Sequence, residues 1–145
     1  MIRKYEASDL EPCARIFMAA YNNEIWRNNW SFEKAMEYLS EITEHKKFEG
    51  FTLLVENEVK GAILCREKTW WNKNEIFVEE FFVSPELQRK GYGTALLKEV
   101  ESYIKEKGLA GFTLLTGRYT PASSFYRKNG FCDGEHVLFM YKVVR

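Results

Sequence analysis

Two adjacent glutamates, Glu79 and Glu80, interrupt an otherwise apolar run, IFVEEFFV from Ile76 to Val83. Carboxylates among apolar side chains can exchange protons near neutral pH. Burial disfavours their charged form, and a like charge in the same cleft raises one of the two further. The run reads as a strand. Adjacent strand residues point to opposite faces, so only one glutamate is expected to face a reaction centre. A bulge would alter that alternation. The plain alternative is a pair of solvated or salt-bridged surface carboxylates.

Shortly downstream lies QRKGYG, from Gln88 to Gly93. Ala95, Leu96, Val100, Tyr103 and Ile104 then follow helical spacing. A helix start offers backbone N–H groups without internal partners, and its dipole attracts anions. Glycines at positions 91 and 93 would let a pyrophosphate approach the backbone, and Arg89 and Lys90 add positive charge. No Gly-Lys-Ser/Thr follows, so this is not a Walker A loop, and the three-glycine dinucleotide fingerprint is absent too. Taken alone, the motif fits an anion cradle or a tight strand-to-helix turn equally well.

The elements that must position these residues can be read from pattern. IRKY at the N-terminus is short and extended. Ser8 and Glu11 have capping-box spacing for a helix running to about Tyr21. Ser31 caps a second helix with an apolar stripe of Phe32, Ala35, Met36 and Leu39. FTLLVENEVKGAILC reads as two strands around a turn at Asn57 and Glu58, and TWWNKN as a loop before the acidic strand. Gly108 ends the glycine-loop helix, and FTLLT from Phe112 is another strand. Thr120 and Pro121 open a short helix that Asn129 and Gly130 close. HVLFMYKVV reads as a final strand. The class is α/β with a mixed, mostly antiparallel central sheet flanked by helices. No interior linker appears, so residues 1–145 are expected to form one domain.

Composition excludes several functions. The chain has 21 basic and 21 acidic side chains, and this balance lacks the field of a nucleic-acid binder. Cys13, Cys65 and Cys132 contain no close pair, which argues against a disulfide framework and against a zinc site. Reduced thiols fit the cytoplasm. No apolar run approaches the ~20 residues of a membrane span, and MIRKYEASDL has no apolar signal segment. A cytoplasmic protein with no membrane partner is expected.

QRKGYG, set behind FFVSPEL and ahead of an amphipathic helix, resembles the acetyl-CoA signature of the GNAT acetyltransferase superfamily. SSFYRKNGF, from Ser123 to Phe131, resembles the second signature of that superfamily, and the element order matches along nearly the whole chain. The segment IFVEEFFVSPELQRKGYG is most similar to that of the spermidine/spermine acetyltransferases. The resemblance implies acetyl-CoA as donor, no metal, and transfer of the acetyl group to a primary amine by direct attack. It implies Glu79 as base, acting through water, Glu80 as a contact to a cationic substrate, and Tyr126 as the acid that protonates the departing thiolate. It implies that Phe81, Phe82 and Val83 give backbone groups to the pantetheine arm. Gln88, Arg89, Lys90, Gly91, Tyr92, Gly93 and Thr94 would then hold the pyrophosphate. Many members carry Asn seven residues before the tyrosine. Here that position is Tyr119, so the contact is lost, replaced by this phenol, or moved to Ser123 or Ser124.

The acceptor is not named by the sequence. The usual acceptor wall of the family falls on Tyr21, Glu24, Trp26, Trp30, Trp70 and Trp71, with Glu80. Aromatic faces beside carboxylates suit a cationic amine. A small-molecule amine is favoured. A protein N-acetyltransferase and a CoA-binding or partner-binding module without turnover are the alternatives. Self-association is common in the superfamily, and a homodimer fits it, although no sequence feature specifies one.

Overall fold

The computed structural model describes residues 1–145. The chain divides into two compact units, Met1–Leu115 and Thr116–Arg145.

The first unit is built on a five-stranded sheet in the order β1 (Ile2–Lys4), β2 (Phe48–Val55), β3 (Glu58–Lys68), β4 (Glu75–Val83) and β5 (Phe112–Thr113). The first four strands pair antiparallel, and β5 joins β4 in parallel. Helices α1 (Leu10–Tyr21) and α2 (Phe32–Thr43) cover one face. Their Cys13, Ala14, Phe17, Ala35 and Leu39 pack with Ala62 and Leu64 of β3 and Phe82 of β4. Helix α3 (Tyr92–Lys107) covers the other face with Leu96, Leu97, Val100 and Ile104. Burial on both faces explains why β3 is apolar without alternation.

Local chemistry sets the ends of these elements. Ser31 Oγ accepts from the Lys34 N–H and caps α2, as its spacing predicts. The expected Ser8–Glu11 capping box does not form; the box present pairs Glu6 with Asp9 across the short turn Ala7–Asp9 that leads into α1, and the Asp9 side chain makes no cap bond to α1 itself. The Asp9 carboxylate is 3% exposed and accepts from the Glu6 N–H, the Thr52 hydroxyl and two guanidinium nitrogens of Arg3. Burial works to raise this carboxyl's pKa. The Arg3 hydrogen bond and the other donors outweigh it and hold the group below its ordinary value. The β2–β3 turn falls on Glu56 and Asn57, both at positive φ (53° and 63°), one residue earlier than expected. That pair of left-handed residues matches the twist of a two-residue hairpin.

In the second unit the regular element is α4 (Pro121–Lys128). Thr120 precedes it, and its hydroxyl donates to the Gly117 carbonyl rather than capping the helix. Residues 136–145 are in neither helix nor strand, against the expected final strand. A strand needs a ladder partner, and this unit contains no other strand. The fifth strand is likewise shorter than FTLLT suggests. No helix is long and apolar enough to cross a membrane.

Candidate active site

The acidic pair sits on a β-bulge. Cys65 pairs with Val78 and Leu64 pairs with Glu80, so Glu79 is the additional residue in β4. Two residues facing one partner break the alternation of side chains. Glu80 lies opposite Leu64, on the face covered by α1 and α2. Glu79 points to that same face, where Arg66 Nε donates to its Oε1 at 2.6 Å. The expectation that one glutamate faces away is therefore corrected: the bulge brings both carboxylates to one side.

Their surroundings differ. Glu79 is tied to Arg66, whose guanidinium carbon lies 5.2 Å from the centre of the Phe77 ring. Glu80 Oε2 accepts from the Tyr38 hydroxyl at 2.6 Å. Burial raises the Glu80 carboxyl to about 7, with a smaller push from the charge of Glu79. Hydrogen bonds from the Tyr38 and Tyr21 hydroxyls work in the opposite direction. The Tyr38 phenol is itself driven upward, first by burial and then by Glu80. Its ring stacks on Trp30 at 5.1 Å and lies 5.7 Å from Phe17. A cavity of about 190 Å³ opens beside the pair, lined by Tyr38, Glu41, Ile42, His45, Arg66 and Glu79.

Past the pair, β4 runs to Val83, but β5 pairs with it only at Ile76 and Phe77. The two strands share no ladder beside Phe81, Phe82 and Val83, the residues expected to meet pantetheine. The Phe81 carbonyl accepts from the Tyr21 hydroxyl at 3.0 Å, and the Val83 carbonyl from the Gln88 side-chain amide at 3.0 Å. The chain then turns through Pro85–Leu87 and reaches α3 across two left-handed residues, Arg89 (φ 64°) and Gly91 (φ 87°). A Cβ built on Gly91 would meet no atom within 4 Å. Arg89, Lys90 and Gly91 are exposed, and the N–H groups of Tyr92, Gly93 and Thr94 open the helix. An open backbone concavity, two cations and a helix N-terminus together fit a pyrophosphate.

In the second unit Tyr126 lies on α4. Its ring packs against Phe125 at 5.4 Å and Phe131 at 5.2 Å. The Ser123 hydroxyl is within bonding distance of the Arg118 and Thr120 carbonyls. Tyr119 lies in the turn that precedes the helix.

The expected acceptor residues divide into two groups. Trp26 packs on Tyr21 at 5.0 Å, and Trp30 joins Tyr38, so both belong to the aromatic cluster around Glu80. Glu24 is exposed on the α1–α2 loop. Trp70 and Trp71 stand on the β3–β4 turn, roughly 15–20 Å along the sheet from the bulge at ~3.3 Å per residue. There Trp70 meets Lys68 at 5.2 Å.

Sequence reasoning missed Tyr38 and Arg66. Tyr38 falls three residues after Ala35 and four before Ile42, which is the signal for sharing their buried face. Arg66 keeps the two-residue period of Ala62 and Leu64, an inward cation in an apolar strand.

The chain matches the model of the Acetyltransferase (GNAT) family over residues 10–131. It belongs to that family. An uncharacterized N-acetyltransferase of Bacillus subtilis, CgeE, is 36% identical over 66 residues, covering 44% of this chain and 26% of the relative. An uncharacterized N-acetyltransferase of Methanocaldococcus jannaschii, MJ1207, is 25% identical over 99% of this chain and 66% of its own length. The chain thus spans about a quarter and just under two thirds of these two curated relatives. Among solved structures, an aminoglycoside acetyltransferase from an uncultured soil metagenomic sample, in complex with sisomicin, superposes with a TM-score of 0.79. It is 21% identical and is covered to 96%, with all of this chain aligned. That likeness establishes the shared fold.

Proposed function

We propose that residues 1–145 act as one catalytic domain, an acetyl-CoA-dependent N-acetyltransferase of small cationic amines. The observation that carries this reading is the bulge. It sets two carboxylates side by side under an aromatic cluster, just before the strand end that leads into an anion-binding helix start. Membership of the acetyltransferase family supplies the donor class.

Acetyl-CoA is the donor substrate, and its pyrophosphate is assigned to Gln88–Thr94. An alkylamine with pKa ~10 must lose a proton before it can attack. Glu80, raised to about 7, is poised to take that proton near neutral pH. The amine nitrogen then bonds to the thioester carbonyl carbon as the C–S bond breaks. The sequence resemblance gives Tyr126 the role of protonating the departing thiolate; the phenol is then reprotonated from solvent, to which the new amide nitrogen gives up its proton. A backbone N–H near Phe82 or Val83 would hold the oxyanion. The sequence resemblance gives Glu79 the role of base. The local environments support the reverse assignment, with Glu79 contributing to the acceptor wall. Aromatic rings beside carboxylates favour a cationic acceptor, and the spermidine/spermine-like run EEFFV puts polyamines beside aminoglycosides in the first panel.

The test is a thiol-release screen of amines with acetyl-CoA, repeated with Glu80→Gln, Glu79→Gln and Tyr126→Phe. Losing a general base lowers kcat by roughly 10²–10⁴-fold, and that loss is expected for Glu80→Gln. Full activity in this variant would reject the assignment of Glu80. CoA binding with no thiol release from any amine would instead leave a CoA-binding module.

A further inference from the structure

Adjacent carboxylates on one face would ordinarily compete for one proton and one substrate cation. Here each has its own partner from a different element. Arg66, from β3, reaches Glu79 at 2.6 Å, and Tyr38, from α2, reaches Glu80 at 2.6 Å. Neither partner is a mobile surface chain. The Tyr38 ring is fixed between Trp30 and Phe17. Arg66 lies in a paired strand and is steadied over Phe77. Glu80 has no cationic partner in its own shell. The groups facing it are Tyr21 from α1, Tyr38 from α2 and Glu79 beside it on β4, with Arg66 on β3 reaching it only through Glu79.

We propose that Arg66 and Tyr38 are positioning residues that give the two glutamates separate tasks: Arg66 fixes Glu79 in the wall of the acceptor cavity, and Tyr38 aims Glu80 as the proton acceptor. The proposal rests on the acetyl-transfer reading for its chemistry. The geometry is independent of it. Arg66 and Glu79 both line the 190 Å³ cavity, and Tyr38 stands at the boundary between that cavity and Glu80.

Arg66 also offsets the charge that Glu79 places beside Glu80. Removing the guanidinium leaves that charge uncompensated and disfavours ionised Glu80. Removing the Tyr38 hydroxyl withdraws a hydrogen bond from the same ionised form. Both changes therefore move Glu80 in one direction, toward higher pH.

The experiment is a carboxyl-carbon NMR titration of Glu80 in the free protein, with the signal assigned by its absence in Glu80→Gln. Arg66→Gln and Tyr38→Phe are each expected to raise the Glu80 midpoint, by roughly one pH unit. Arg66→Lys is expected to restore most of the wild-type midpoint. In a Glu79→Gln background, Arg66→Gln should shift the midpoint less, because the guanidinium is no longer held in place by the Glu79 carboxylate. Unchanged midpoints in folded Arg66→Gln and Tyr38→Phe overturn the proposal. So does an Arg66 effect of undiminished size without Glu79. The pH profile of kcat/KM for the best amine is measured in parallel, and its acidic limb should move with the midpoint. Midpoints that shift while the limb stays in place would reject Glu80 as the base and leave the Arg66–Glu79 and Tyr38–Glu80 couplings standing, so the two failures are distinguishable.

Discussion

The Tyr38 hydroxyl on α2 donates to Glu80 Oε2 on β4 at 2.6 Å, joining residues 42 positions apart. It ties the helix layer to the strand that carries the acidic pair. It also sets Glu80 among aromatic rings that withhold water from the carboxylate.

That setting makes stability depend on pH. The folded protein holds the Glu80 proton up to about 7, against an ordinary value of 4.5. Between these values the folded state binds more protons than the unfolded state, so this group's contribution to stability falls as pH rises and levels off above about 7. Glu80→Gln removes the penalty. The variant should match the parent near pH 4 and exceed it at pH 8 by up to about 3 kcal/mol. Urea melts at both pH values measure the difference. A gap of equal size at both would contradict it.

Asp9 predicts the opposite slope. Its carboxyl is held below the ordinary 3.8, so its contribution is present above that value and is lost as pH falls through the folded-state pKa. Asp9→Asn removes the charge facing the Arg3 guanidinium and one of the two oxygens that accept its bonds of 2.8 and 2.9 Å. A loss of about 3 kcal/mol is expected at pH 6, shrinking in acid. Melts that show the same loss at pH 2.5 would rule out the charge as its origin.

Gly91 separates fold from donor binding. Its φ of 87° is costly for any residue with a Cβ, by roughly 1–2 kcal/mol for alanine. A Cβ there touches no protein atom within 4 Å, so a methyl group would project into the open cradle. Gly91→Ala should lower stability modestly and weaken CoA binding. Gly91→Glu, with a negative charge in the cradle, should abolish the thermal stabilisation by CoA. A CoA-induced shift equal to the parent's in the Glu variant would place the pyrophosphate elsewhere.

Gly61 is constrained by contact. A Cβ on it would lie 2.7 Å from the Phe82 carbonyl oxygen and 3.1 Å from Val83 Cα, both backbone atoms. Gly61→Ala must open the β3–β4 ladder at the strand end proposed to hold the donor. A stability loss of about 1–3 kcal/mol is expected from such overpacking. KM for acetyl-CoA should rise more than KM for the amine. Equal rises would detach this strand end from donor binding.

Much of the architecture is legible in the sequence because local rules govern it. Ser31 caps where a cap is required, and Gly108 closes α3 in a left-handed conformation. IFVEEFFV forms the strand its composition implies. Elements fixed by partners distant in sequence are less legible. Asp9 replaces the Ser8–Glu11 box because Arg3 and Thr52 both draw on its carboxylate, and Thr52 is brought there only by strand pairing. The site divides in the same way. Its carboxylates and glycine loop stand out as residue types in a pattern. The bulge depends on the register with β3, so no window of β4 alone reveals it. Tyr38 and Arg66 become site residues only when α2 and β3 close over that register.

The bulge also has a meaning for insertions and deletions. Removing Glu79 would bring Val78 and Glu80 into direct succession opposite Cys65 and Leu64, and the ladder would become regular from Glu75 to Val83. Every other side chain of β4 would keep its face and its partner. The strand therefore packs as eight residues and carries a ninth that the hydrophobic core does not count. A single-codon deletion in the middle of a central strand, which ordinarily turns a strand inside out, should here yield a folded protein with one carboxylate where there had been two.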